Sequence, residues 1–129
     1  MKKILVLMLI VLSILTGCSE TKEKLISGWT IDEITIAEKS FENKLDINFV
    51  NFESDGKCVL PRLNMKSTSY GNWDVEEKGD KLYLIVTSKN NPFAGKYQLT
   101  FFVDPKSNIT RMNLASPDIK ILCSRMFEK

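Results

Sequence analysis

The sequence predicts an all-β domain, a small up-and-down barrel of eight antiparallel strands. Three observations point there. Apolar residues recur at a period of two, as in Leu82, Leu84 and Val86 and again in Tyr97, Leu99, Phe101 and Val103, the spacing of a strand with one buried face. Turn-forming clusters separate these runs at hairpin spacing: Ser54-Asp55-Gly56, Glu77-Lys78-Gly79-Asp80, Asn90-Asn91-Pro92, Pro105-Lys106-Ser107-Asn108 and Ser116-Pro117-Asp118. No segment after the first 17 residues carries a convincing helical period. Sequential strands of this kind build a barrel or a two-sheet sandwich, and closing the barrel removes the unpaired edges a meander would expose.

The elements follow in order. Lys2 and Lys3 precede the apolar run Ile4 to Leu15, and Thr16-Gly17 leads to Cys18. A basic start, a short apolar stretch and a small-residue site are the parts of a signal peptide, here residues 1–17. The apolar run is shorter than the roughly 20 residues a membrane-spanning helix needs. Leu15-Thr16-Gly17-Cys18 resembles a bacterial lipobox, in which the cysteine thiol takes a diacylglycerol and becomes the mature N-terminus. Cys18 is therefore the expected lipid-attachment residue, and palmitate-type acyl chains at that point would hold the protein at a membrane. Residues 18–27 are expected as the lipidated end and tether, with Ser19 to Lys24 a solvated spacer, and residues 28–129 as the barrel domain.

Trp29 to Ile36 is the first expected strand. Its apolar parity switches at Asp32-Glu33, between Trp29 and Ile31 on one side and Ile34 and Ile36 on the other, which predicts a bulge. Residues 37–44 form a polar connection. Leu45 to Glu53 and Lys57 to Leu63 are the second and third strands, joined at Asp55-Gly56, where positive φ is tolerated. Pro61 lacks an amide donor and belongs at an edge or bulge. Thr68 to Glu76, Lys81 to Thr87, Gly95 to Asp104, Ile109 to Ala115 and Ile119 to Phe127 complete the eight.

Composition excludes several functions. Lys2 and Lys3 are the whole excess of 18 basic over 16 acidic residues, so the chain from Cys18 onward is neutral and implies no nucleic-acid partner. There is no histidine, which removes the commonest general base and the commonest metal ligand. Cys58 and Cys123 are too few for a zinc site and form no C-x-x-C motif. No Gly-x-Ser-x-Gly turn exists, and Asp32 and Glu33 are neighbours on a strand rather than a facing pair. The expectation is no enzyme, no catalytic residue, no metal and no cofactor. Asn108-Ile109-Thr110 matches a glycosylation sequon and is read as chance beside a bacterial lipobox.

Leu25-Ile26-Ser27-Gly28-Trp29, Phe52 to Cys58, Tyr70-Gly71-Asn72-Trp73, Phe93 to Tyr97 and Ile121 to Arg125 together resemble a bacterial family of lipocalin-like lipoproteins. The resemblance spans roughly residues 25–127 and implies a lipocalin-like barrel. In that family a glycine stands two residues before the tryptophan, where this chain has Ser27. The resemblance implies that Trp29 and Arg125 close one end of the barrel. Phe41, Phe93 and Tyr97 are candidates for the rim of a ligand mouth, against ordinary loop anchoring. Cys58 and Cys123 are either separate buried thiols or a disulfide.

The expected role is an envelope lipoprotein that binds a small apolar or amphipathic ligand. The alternative is a protein-interaction or assembly lipoprotein with a packed core and an envelope protein as partner. Ser19 is not the aspartate that retains enteric-type lipoproteins at the inner membrane, so a source with two membranes would place it in the outer one.

Overall fold

Strand β1 (Ser27–Ile36) carries both seams of the fold in the computed structural model, which describes residues 20–63 and 68–126. One edge pairs with β3 (Phe49–Phe52) and, through a tight turn, with the two-residue β2 (Lys39–Ser40). Its other edge pairs with the last strand, β9 (Ile119–Arg125), from Trp29↔Arg125 to Ile36↔Ile119. Between them run β4 (Lys57–Val59), β5 (Tyr70–Lys78), β6 (Lys81–Thr87), β7 (Gly95–Val103) and β8 (Thr110–Ala115), each antiparallel to its neighbour. The result is a closed eight-stranded barrel with β2 as a short extra ribbon. Every barrel strand has a partner on both sides, so no strand presents an unpaired edge along its whole length.

The bulge in β1 falls at Asp32. Ile31 pairs with Cys123 and Glu33 with Leu122, so Asp32 is the extra residue. That single insertion keeps both Ile31 and Ile34 inside while Asp32 and Glu33 face solvent. Asp32 accepts a hydrogen bond from the Ser124 hydroxyl, which ties the bulge to β9.

Two expected strands are shorter than the alternation suggested. β4 stops at Val59 because Pro61 offers no ladder donor. The pairing resumes as an isolated bridge, Ile47↔Arg62, beside the Arg62–Asp46 ion pair at 2.9 Å. A 3-10 turn (Glu42–Lys44) takes up part of the connection ahead of β3. Gly71 sits where the chain leaving β6 crosses β5. A Cβ there would lie 2.5 Å from the Thr87 carbonyl oxygen, so only glycine permits the approach.

The spacer reading of residues 19–24 needs correction. Residues 20–25 form a helical segment, α1, that packs across one open end of the barrel. Thr21 and Leu25, four residues apart and on one helical face, are both buried, so the packed unit begins before the expected boundary at residue 28. Cys18 and the signal segment lie outside the described residues, as do Phe127 and residues 64–67.

The barrel thus has two distinct ends. At one lie α1, the turns at 53–56, 79–80 and 104–109, and the C-terminal end of β9. At the other lie the connections 37–48, 88–94 and 116–118 and the described residues 60–63 and 68–69.

Candidate functional site

The barrel interior is the first place to look for a binding site, and it is filled. Leu84, Leu99, Met112, Phe52, Ile34 and Trp29 are among the side chains with almost no exposure. The residual cavity is lined by Ile31, Phe52, Leu84, Phe93, Tyr97 and Cys123, among others, and holds about 20 Å³. That is room for one water at most, and the apolar lining gives a water few partners. Small eight-stranded barrels either fill with side chains or hold one ligand; this one is filled.

Both ends are closed by specific contacts. At the α1 end Trp29 is fully buried and its Nε1–H donates to the Leu25 carbonyl at 3.0 Å. The Arg125 guanidinium lies 5.1 Å from the Trp29 ring centroid and donates to the Lys24 carbonyl at 2.7 Å. Leu25 and Lys24 are in the last turn of α1, so these bonds satisfy carbonyls the helix leaves free while pinning it over the opening. Phe101 packs against Trp29 with ring centroids 6.1 Å apart.

At the opposite end, Phe93 and Tyr97 do not rim a mouth. Both are only 2% exposed, and the Tyr97 hydroxyl donates to the Phe93 carbonyl at 2.7 Å. The two aromatics occupy the space an opening would need. Phe41 is half-buried against the core, with Lys44 Nζ 5.0 Å from its ring centroid.

Asn91 holds this closure together. Its amide nitrogen donates to the Pro61 carbonyl at 2.9 Å and to the Thr68 carbonyl at 2.8 Å, and its oxygen accepts from the Phe93 amide at 2.8 Å. One buried side chain thus joins both ends of the connection between β4 and β5 to the loop before β7. In the sequence Asn91 reads as a turn residue within Asn-Asn-Pro; the signal it carries is shared by every turn asparagine.

Cys58 and Cys123 are both buried and unbonded. Burial, aided by the Glu53 carboxylate, pushes the Cys58 thiol up to about 11, and burial with Asp32 nearby pushes Cys123 up further. Burial also raises the Tyr97 phenol. A thiol held protonated is a poor nucleophile and a poor metal ligand, so these cysteines act as small apolar side chains.

A larger concavity, about 840 Å³, lies outside the barrel, on the wall formed by β4, β5 and the end of β6. Lys57, Val59, Tyr70, Asn72, Thr87 and Lys89 line it, and Tyr70 is 71% exposed. Among the described residues no cluster of His, Cys, Asp and Glu is placed to hold a metal ion, and no helix is long and apolar enough to cross a membrane. No protein-family model, curated protein or solved structure matches the chain.

Proposed function

We propose that this is a lipid-anchored lipoprotein of the bacterial envelope whose barrel serves as a protein-interaction or assembly module. The filled interior carries the reading. A cavity of about 20 Å³ leaves no volume for even a small apolar molecule, whereas ligand sites usually occupy roughly 300–1,000 Å³. The lipobox-like Leu15-Thr16-Gly17-Cys18 supports the anchor, and the ordered motifs from Leu25 to Arg125 support kinship with lipocalin-like lipoproteins. Function then lies on the outer surface, where the groove around Tyr70 offers an exposed aromatic of the kind that anchors protein interfaces. With Ser19 after the anchor, the outer membrane is the expected site in a source with two membranes.

Native mass spectrometry of the protein purified from its source tests this reading. The expected mass is that of the chain from Cys18 with acyl groups and nothing else. A retained small molecule would overturn the packed-core reading. Cys18→Ser is expected to release the protein from membranes and abolish lipid labelling, and unchanged labelling would refute the anchor.

A further inference from the structure

We infer that the α1 end of the barrel rests on the bilayer and that Phe102, Val103 and Met126 enter the boundary between headgroups and acyl chains. The inference rests on the lipid-anchor reading of Cys18 and goes beyond it, because an anchor alone does not orient a protein.

Chain length supplies the first argument. Cys18 is two residues from Glu20, the first described residue of α1, a span of at most ~7 Å. The helix cannot swing away to lengthen that reach. It is held by the buried Leu25 and Thr21, by the Trp29 and Arg125 bonds to the carbonyls of Leu25 and Lys24, and by the Lys22–Asp74 ion pair at 2.9 Å. An acylated Cys18 therefore brings this end of the barrel against the lipid.

The distribution of apolar surface supplies the second argument, independently of the anchor. Among the described residues four large apolar side chains are exposed, and three of them (Phe102, Val103 and Met126) lie at the α1 end. The pairing pattern explains the first two. β6 pairs with β7 only as far as Leu82↔Leu99, so Thr100 to Val103 pair with β8 alone and project past the barrel wall. Met126 follows β9 directly, its amide donating to the Gly28 carbonyl at 3.0 Å. The side chains of Lys24 and Lys106 at this end suit lipid phosphates, but Glu20, Glu23 and Asp55 are there too. Attachment should then depend on the acyl chains and the apolar contacts, with little preference for anionic lipid. The fourth exposed side chain, Tyr70, belongs to the opposite end, so the part of the outer groove around Tyr70, Thr68 and Lys89 faces away from the membrane, while Glu53 and Lys57 mark its end nearer α1.

The test uses the full acylated protein in phosphatidylcholine vesicles, with an environment-sensitive dye on Val103→Cys, on Met126→Cys or, as reference, on Tyr70→Cys. The native thiols at 58 and 123 are buried and do not compete for the label. Dyes at 103 and 126 are expected to be blue-shifted, quenched by doxyl-labelled lipid, and about fivefold less quenched by iodide than the dye at 70. Equal iodide quenching at all three positions on vesicle-bound, acylated protein would overturn the orientation and leave the anchor standing. A protein mass without acyl groups would overturn both.

Discussion

Replacing Arg125 by methionine keeps an apolar stem over Trp29 and deletes the guanidinium. Two interactions are lost. The bond to the Lys24 carbonyl, at 2.7 Å, is charge-assisted and of a class worth about 1.5–3 kcal/mol. The stack on Trp29, at 5.1 Å, is of a class worth about 0.5–2 kcal/mol. Two facts pull the sum down. Arg125 is only partly buried, and its buried Nε has no hydrogen-bond partner, so the native state already carries a penalty that the substitution relieves. The net loss should be about 2 kcal/mol, which lowers the urea midpoint by about 1–2 M for a slope of about 1–2 kcal/mol/M. A cycle with Trp29→Leu isolates the stack, since the carbonyl bond involves Lys24 and is lost equally in both backgrounds. The coupling energy should be about 1 kcal/mol. A value inside the additivity error of about 0.3–0.5 kcal/mol would show that the stack contributes nothing and that the end is closed by packing and the carbonyl bond alone.

Asn91→Ala removes three hydrogen bonds, two of them buried and one partly so, and strands two carbonyls and an amide, so a loss of about 2–4 kcal/mol is expected in thermal or urea unfolding. A melting temperature equal to that of the parent would refute the role given to Asn91. Alkaline pH should also destabilise the barrel. Cys58 moves from its ordinary 9.0 to about 11 on folding, so its contribution is intact below about pH 9 and lost as pH rises through about 11. The shift corresponds to roughly 2–3 kcal/mol, and Cys123 and Tyr97 act in the same direction. A urea midpoint that stays flat between about pH 8 and pH 10.5 would contradict it.

Strand order was legible because a strand declares itself locally. Leu82, Leu84 and Val86 alternate wherever they end up packing, and Asp55-Gly56 bends a chain in isolation. The parity switch at Asp32 was readable for the same reason, since a bulge changes which residues share a face. Features shorter than one period were not readable. α1 shows two inward residues in a charged stretch, Thr21 and Leu25, which is too little pattern to separate from a spacer. β3 and β4 shrank around Pro61, whose missing donor was visible but whose reach along both partners was not.

By itself, then, the sequence determined the all-β class, the order of the strands, the absence of histidine chemistry and the neutrality of the chain beyond its first 17 residues. Only the tertiary structure decided whether the barrel is hollow. Inward volume depends on how strongly the strands tilt and stagger, and no single strand encodes that quantity. It arises from the pairing registers together, which bring Phe52, Phe93, Tyr97 and Trp29 from distant positions into one space. The same registers keep Cys58 and Cys123 as separate thiols, carry Asn91 to three backbone partners, and gather Phe102, Val103 and Met126 at the end where α1 sits.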